Sequence, residues 1–450
     1  MIDPKIFKAY DIRAIYPTEL DEEGIYQIGR AFVEMLGVKE VVLGYDMRVS
    51  VPKLKPHLIA GINDAGAKVI DIGMTGTEVL YFSAGHFKFE SGMMLTASHN
   101  PSEYIGIKMV KNDSYPISSD NGIFELRDLC ATKNYQRLNL PTNVETLDPI
   151  PQFKEKINSL ANLSNFKKMK VVVDAGNGIG GQLFQKIFDQ SNLEIVPLYF
   201  EPDGSFPNHE PNPFKDENVA ELRKKVVEEK ADLGIALDGD GDRVFFTDHE
   251  GNSTIGYYLV SILAKKILEK YPGGKIVHES RNSWAILDEV TKAGGIPVEE
   301  KAGHSFIKTG MRKADAVFAG ETSSHFFYKD LYFADSSMLS IALLFEMITL
   351  TGQTLKDLLK PYREKYFISG EFNYEVKDAS RTLDVVRKHL ESQGLNIDEM
   401  DGIAADKGRD WHVSLRMSNT EPVVRLNVEG KSQEIVDQMK SEIESLIQSS

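Results

Sequence analysis

Cysteine is almost missing from this chain: Cys130 is the only one in 450 residues, so no intrachain disulfide can form and a reducing compartment is expected. Long apolar runs are missing too. No stretch reaches the roughly 18 consecutive apolar residues of a membrane span, and the opening "MIDPKIFKAYDIR" lacks the uninterrupted apolar core of a signal peptide. A cytoplasmic location with no membrane partner is the expectation. Positive charge is in deficit: 52 Lys and Arg face 67 Asp and Glu, for a net charge of −15. Phosphate backbones need basic surfaces, which argues against a general nucleic-acid footprint. A small phosphorylated ligand stays possible, because screening over about 8–10 Å lets a local group of Arg and Lys attract an anion whatever the distant surface carries.

What is present is ordinary globular material, 42% hydrophobic and 26% charged, and about 150 residues per domain suggests three domains. "DEEGIYQIGRAFVEML" spaces Ile25, Ile28, Phe32 and Met35 at helical period, and "KEVVLGYDMR" follows as a buried strand and turn. The alternation recurs through "KVIDIG" and "SGMMLTASHNP", then "KKMKVVVDAGNG", "LEIVPLYF" and "ADLGIALDGDGDR", then "GKIVHES", "IPVEEKAGH" and "ADAVFAGETSSH". Each unit reads strand, helix, strand, helix, strand, with the third strand opening into a polar loop. Those three loops carry Ser98, the carboxylates Asp238, Asp240 and Asp242, and the pair Glu321 and Ser323. Open α/β sheets place ligands at the carboxyl ends of their strands, so the three loops are candidates for one site. After about Phe367 the pattern becomes α+β, with strands in "GEFNYEV", "WHVSLRM" and "VVRLNVEG" and helices at "SRTLDVVRKHLES" and near the end. Joints near "NYQRLNLPTN", "DHEGNS" and "KYFISGE" divide the chain into four domains, 1–145, 146–251, 252–367 and 368–450.

"DGDGDRVFF" sets three carboxylates at alternate positions, with glycines that allow a tight loop to aim hard oxygen ligands at one divalent cation. A solvated acidic turn has the same composition. An EF-hand is excluded, because the sixth place is Arg243 and the twelfth His249. Three carboxylates without a histidine favour Mg²⁺ with an incomplete shell, which calls for a substrate or phosphate oxygen. Ser98 in "TASHNP" supplies one if it carries phosphate. It lacks the flanking glycines of a G-x-S-x-G nucleophile elbow, and Ser98 next to His99 is in isolation more often turn chemistry. "GNGIGG", Gly176 to Gly181, follows a strand, with Glu201 twenty residues beyond, and so mimics a dinucleotide fingerprint. Tight turning and close packing call for the same glycines. A dehydrogenase would leave "TASHNP" and "DGDGDR" without roles. "RMSNTEPVVR" places Arg416 and Arg425 around Ser418, Asn419 and Thr420 in a predicted interstrand loop, a set suited to a phosphate dianion and equally to a capped turn. "GETSSH" offers Glu321 and Ser323 to sugar hydroxyls, and "AGHSFIK" adds His304 and Lys308, which read alone as loop and helix residues.

Together, from "FKAYDIRAIYP" to "RMSNTEP", these motifs resemble the α-D-phosphohexomutase superfamily, most closely its phosphomannomutase/phosphoglucomutase branch. The resemblance implies an α/β fold: three similar α/β domains with mixed sheets plus a C-terminal α+β TATA-binding-protein-like domain around a central cleft. It implies that Ser98 is a phosphoserine, with Asp238, Asp240 and Asp242 holding Mg²⁺ against its phosphate. Carried over at matching positions, Tyr10, Arg13, Lys108 and Arg243 surround the transferring phosphoryl, with His99 beside it, and His304 and His325 approach the sugar. Arg281, Lys301 and Gly303 join Glu321 and Ser323 as substrate-binding residues, while Arg416, Ser418, Asn419 and Thr420, assisted by Arg425, hold the phosphate that is not transferred. The implied activity is interconversion of hexose 6-phosphate and hexose 1-phosphate, of mannose or glucose, through a hexose 1,6-bisphosphate, by a monomer or weak homodimer. Phosphoglucosamine mutase is the enzymatic alternative, although that branch more often reads "SASHNP" and "GEQSGH". Three positions depart from the usual pattern: Ala14 and Ser324 stand where glycine is usual, and Ile105 where asparagine is.

Overall fold

The computed structural model describes residues 2–281, 283–417 and 423–450. It falls into two compact units, Met1–Thr254 with His325–Leu355, and Ile255–Ser324 with Lys356–Ser450.

The first unit begins with a sheet whose strands lie in the order Ile12–Ile15, Tyr104–Lys111, Ser91–Leu95, Glu40–Tyr45, Lys68–Met74 and Val144–Thr146. The last four are parallel and the first two antiparallel. Val41, Val42 and Leu43 are all fully buried, as expected of a strand covered on both faces. Its first long helix, Glu22–Leu36, starts where the Asp21 side chain accepts from Gly24 N at 2.8 Å and stops at Gly37, whose φ of 66° suits glycine. A second sheet runs Val244–Asp248, Leu233–Leu237, Met169–Asp174 and Leu193–Leu198, with the first strand antiparallel to the other three.

The segment 325–355 follows the third-strand loop in sequence and groups with this first unit. Its hairpin of Phe326–Tyr328 and Ala334–Asp335 leads into the helix Ser337–Thr351, which is buried along most of its length. Phe345 packs edge-on against Phe166 and Phe188 at centroid distances of 5.6 and 5.8 Å. Apolar area on nearly every face of that helix is what draws it in. Among the described residues, no single helix is long and apolar enough to cross a membrane.

In the second unit Lys275–Glu279 pairs in parallel with Ile296–Glu300 and Phe318–Gly320. The C-terminal part is an antiparallel sheet in the order Phe367–Ile368, Val423–Gly430, Trp411–Met417 and Ile403–Asp406, with Phe372–Glu375 also on Val423–Gly430. Helices Ala379–Ser392 and Gln433–Gln448 close its core through Leu383, Val386, Leu390, Val436, Met439 and Ile443.

The predicted strand–helix order holds three times, with third strands ending at Leu95, Leu237 and Gly320 immediately before the three polar loops. Ala14 and Ile105, two of the departures, are direct cross-strand partners and both fully buried. Ser324 is different: its φ of 64° lies in the left-handed region that glycine enters without cost.

One carboxylate ties the two halves of the second unit together. Glu429, fully buried, accepts from the backbone of Ser283 at 3.0 Å and Trp284 at 3.2 Å, capping the helix Trp284–Lys292, and from the Tyr257 hydroxyl. Replacing it by alanine orphans two buried donors and one half-buried one, a cost of about 3 kcal/mol. Glu429→Ala is expected to lower the urea midpoint of the transition that involves this unit, with Glu429→Gln between it and the parent. An unchanged midpoint in both variants overturns this role.

Candidate functional site

Ser98 ends the strand Ser91–Leu95 in an unusual way. Its φ is +50°, a left-handed conformation that costs a residue with a Cβ about 1 kcal/mol or more, and the side chain is 1% exposed. Its Oγ donates to Asp238 Oδ2 at 2.7 Å and lies 3.2 Å from His99 Nδ1. Asp238 begins the acidic loop that follows the strand Leu233–Leu237, so two third-strand loops of the first unit meet at this hydrogen bond.

The glycines of the acidic loop are dictated by that meeting. A Cβ at Gly239 would lie 2.5 Å from Ser98 O, and Gly241 has a φ of 73°. The glycine-rich turn "GNGIGG" packs beneath. A Cβ at Gly178 would stand 2.7 Å from Gly239 O, Ile179 N donates to Gly239 O at 3.1 Å, and Gly180 faces Leu237 closely enough that a Cβ would fall 2.8 Å from it. Close packing against the acidic loop accounts for these glycines, as the alternative to a dinucleotide site requires.

Asp238, Asp240 and Asp242 bring one oxygen each within 4.8 Å of one another, all buried. Lys108, from the strand Tyr104–Lys111, donates to Asp240 Oδ2 at 2.6 Å and to Asp242, and the Thr77 hydroxyl donates to Asp240. Asp240 Oδ1 is buried with no hydrogen-bond partner among the described residues. Burial and the charges of Asp240 and Asp242 push Asp238 up to about 7. Burial alone would raise Asp242 as well, but Lys108 and His325 outweigh it and hold that carboxyl well below its usual range. Three convergent hard oxygens, one of them orphaned, and a surplus of buried negative charge form a set that fits a divalent cation.

Cations ring the same place. Arg243 Nε donates to His325 Nε2 at 3.1 Å and its backbone N to Asp238 Oδ1 at 3.2 Å, while His325 Nε2 stands 3.4 Å from Asp242 Oδ1. Arg13 is fixed by two bonds to Asp11 Oδ2 and one to Asn100 Oδ1 at 3.0 Å. Burial, reinforced by Arg243, Arg13 and Lys108, keeps His99 well below the usual histidine range, hence neutral at pH 7. The structure thus gathers Ser98, His99, Lys108, Arg13, Arg243, His325 and the three aspartates, and Tyr10 lies in the same unit just before the strand Ile12–Ile15.

The remaining candidates belong to the second unit. Gly303 N donates to Glu321 Oε1 at 2.7 Å, which links "AGHSF" to "GETSSH". His304 opens the helix His304–Ala314 with Lys308 one turn on, Ser323 lies in the loop after Phe318–Gly320, and Lys301 is exposed with its ammonium 5.9 Å from the Phe306 ring centroid. Ser418, Asn419 and Thr420 lie outside the described residues. Arg416 and Arg425 are strand residues, in the strands expected from "WHVSLRM" and "VVRLNVEG", and are direct partners across Trp411–Met417 and Val423–Gly430, because the apolar alternation of both strands continues through them.

Sequence reasoning missed the residue that organises them. Glu371 accepts from Arg281 Nη1 at 2.7 Å and lies 3.4 Å from both Arg416 Nη2 and Arg425 Nη1. Burial would raise its pKa, yet Arg281, Arg416 and Arg425 hold it down at about 2. Arg281 also pairs with the buried Glu279, whose Oε1 accepts from Thr322 N at 2.7 Å. No local signal in the sequence points to it, because its three arginines come from positions 281, 416 and 425, far along the chain from Glu371.

Four family models match in order: phosphoglucomutase/phosphomannomutase alpha/beta/alpha domain I over residues 4–136, domain II over 150–251, domain III over 255–366 and the C-terminal domain over 371–446. A protein named phosphohexose mutases from Xanthomonas campestris pv. campestris is 44% identical over 424 residues, covering 94% of each chain, and a phosphomannomutase of Vibrio cholerae is 40% identical over 436 residues at the same coverage. The crystal structure of a phosphoglucomutase/phosphomannomutase family protein from Burkholderia thailandensis superposes with a TM-score of 0.90 at 30% identity, over 100% of this chain and 98% of that one. With the order of domains, the paired loops and these likenesses in agreement, the chain belongs to the phosphoglucomutase/phosphomannomutase family.

Proposed function

We propose that the protein interconverts hexose 6-phosphates and hexose 1-phosphates, of mannose and glucose, by way of a phosphorylated Ser98 and a hexose 1,6-bisphosphate. The observation that carries this reading is the 2.7 Å bond from Ser98 Oγ to Asp238, inside a pocket of buried carboxylates ringed by Lys108, Arg243 and Arg13. A serine placed only to turn the chain has no need of that company.

In the first half-reaction the bond between Ser98 Oγ and phosphorus breaks as the free hydroxyl of the hexose monophosphate bonds to phosphorus, and the hydroxyl proton passes by way of a base to the departing Ser98 Oγ. The bisphosphate then reorients, and its other phosphoryl returns to Ser98. Arg13, Lys108 and Arg243 neutralise charge on the phosphoryl oxygens, which is most of what such a transfer requires. His99, half-buried and neutral, accepts or donates near Ser98 without adding charge. Asp238, Asp240 and Asp242 are the residues that would hold Mg²⁺. When bound, the ion supplies positive charge beside the phosphoryl oxygens. The hydrogen bond from Ser98 Oγ to Asp238 belongs to the unphosphorylated enzyme and gives way when the hydroxyl is esterified.

In the second unit Arg416 and Arg425, with Ser418, Asn419 and Thr420, hold the phosphate that is not transferred, Arg281 and Lys301 assist, and Glu321 and Ser323 address the sugar. The same anion site must accept both monophosphate isomers, so discrimination falls to the sugar hydroxyls. Glu321 and Ser323 suit O3 and O4, which glucose and mannose share, and this leaves O2 weakly policed. Phosphoglucosamine mutase has no comparable support, because nothing in "GETSSH" is dedicated to an ammonium.

Ser98→Ala should abolish the phosphorylated fraction seen by intact mass and lower the rate at least about a thousandfold, or about 4 kcal/mol of transition-state stabilisation. Near-normal mutase activity in that variant overturns the mechanism. Asp240→Asn is expected to raise the Mg²⁺ concentration needed for half activation and to slow transfer at saturating metal, since one ligand serves both. Full activity in chelator-treated protein contradicts the metal assignment. In a coupled assay primed with the matching 1,6-bisphosphates, glucose 1-phosphate and mannose 1-phosphate should agree within about tenfold in kcat/KM, equivalent to about 1.4 kcal/mol, with glucosamine 1-phosphate slower. A preference for glucosamine above about a hundredfold reverses the ranking.

A further inference from the structure

Arg48 is an arginine with no exposed surface at all, three residues beyond the strand Glu40–Tyr45 in "GYDMR". A buried guanidinium carries a desolvation cost that has to be met by partners, and its partners are unusual. Nη1 donates to Pro101 O at 2.7 Å and Tyr104 O at 2.9 Å, and Nη2 donates to Ser98 O at 2.9 Å and Asn100 O at 2.7 Å. Four backbone carbonyls of the Ser98 loop therefore converge on one planar cation. Four carbonyl dipoles pointing inward repel one another unless a cation sits between them.

Asp46 completes the brace. Its Oδ1 accepts from Arg48 N at 3.0 Å and its Oδ2 lies 3.5 Å from Arg48 Nε, with both side chains buried. The Thr96 hydroxyl accepts from Ser98 N at 2.9 Å, so the two backbone polar groups of Ser98 are held from either side. From the loop that follows the strand Leu193–Leu198, the Phe206 ring lies 5.4 Å from the Arg48 guanidinium carbon, and Gly204 approaches so closely that a Cβ there would come within 2.7 Å of Arg48 Cα. No sugar- or phosphate-binding role is available to Arg48, whose donors are turned to the loop backbone.

We infer that Arg48 is a positioning residue for phosphoryl transfer: by gathering the carbonyls of Ser98, Asn100, Pro101 and Tyr104 it fixes the left-handed backbone of Ser98 and so the direction in which Oγ presents its phosphoryl. Peptide planarity makes the link rigid. With Ser98 O anchored, the Ser98–His99 peptide plane is set and the His99 N–H is turned away from the guanidinium. The left-handed φ of Ser98 persists because its surroundings over-determine it. A lysine at position 48 keeps the charge but loses the planar fork that spans four acceptors.

The inference rests on the phosphoserine reading, and the test separates the two. Parent, Arg48→Lys and Asp46→Asn proteins are phosphorylated with glucose 1,6-bisphosphate, the phosphoserine is counted by intact mass, and transfer to glucose 1-phosphate is followed in a single turnover per mole of phosphoserine. Misplacement of a reacting group by about 1 Å costs about a hundredfold. Arg48→Lys is therefore expected to slow single-turnover transfer about a hundredfold with half-saturation by glucose 1-phosphate within twofold, and to speed amide exchange across residues 99–105. Asp46→Asn should slow it about tenfold. An arginine that mattered only for overall stability would lower the yield of folded enzyme and leave transfer per phosphoserine unchanged, and that result overturns the inference. So does a loss carried entirely by weaker half-saturation. Should Arg48→Lys not fold, Asp46→Asn decides by the same criteria. Ser98→Ala, run alongside, reports on the phosphoserine reading alone: if it retains turnover that reading fails, and if it is inactive while the Arg48 and Asp46 variants transfer normally, only the role of Arg48 fails.

Discussion

Three buried carboxylates held within 4.8 Å of each other are the constraint on which the first unit depends. Like charges at that separation in a medium of low polarity repel by several kcal/mol, and an isolated cluster would protonate or open. Lys108 is locked by burial among them, with Asp240 and Asp242 overcoming the desolvation that would otherwise lower its pKa. Even so, Lys108 and Arg243 against three aspartates leave negative charge over, and Asp238 responds by rising to about 7. The charge balance of the neighbourhood leaves room for further positive charge, which the proposed metal would supply.

That electrostatic demand explains the backbone around it. Alternate glycines let the aspartates face one point, and the same glycines let the loop lie against Ser98 O with no side chain between. "GNGIGG" then fits beneath because Gly178 and Gly180 have no Cβ to collide with Gly239 O and Leu237. A motif shaped like a dinucleotide fingerprint is therefore a packing surface for the acidic loop. The resemblance is physical, since close approach of backbone to backbone and of backbone to pyrophosphate make the same request of the chain.

Much of the fold was legible because hydrophobic period and turn residues act locally. The helix Glu22–Leu36 could be read from Ile25, Ile28, Phe32 and Met35, and the three third strands from the apolar runs before "TASHNP", "DGDGDR" and "GETSSH". What escaped depends on partners far apart in sequence. Segment 325–355 looks like a continuation of its own module, and only the contacts of Phe345 with Phe166 and Phe188 show where its apolar faces are buried. Arg48 looks like a turn residue, and its four acceptors lie some fifty residues on. Glu371 follows a glycine at the start of an edge strand, where an acid is commonplace, and its three arginines come from positions 281, 416 and 425. Long-range ion pairs leave no periodic trace.

The two units handle charge in opposite ways. The first concentrates carboxylates and needs a cation. The second concentrates Arg281, Arg416 and Arg425 about Glu371, whose ionised form they favour so strongly that it titrates near 2. Among the described residues, three guanidinia against one carboxylate keep a positive surplus, even after Glu279 takes a share of Arg281. A monocarboxylate in such a cluster holds the arginines in register without cancelling them, which is the condition for a dianion to bind there reversibly. A fully neutralised cluster would bind phosphate weakly, and three unpartnered arginines would splay apart by mutual repulsion before one arrived. Glu371 sits between those extremes. For the proposed exchange that property has direct use, because on that reading the anion held by these arginines is the 1-phosphate in one half-reaction and the 6-phosphate in the other, and each must be released as readily as it is held.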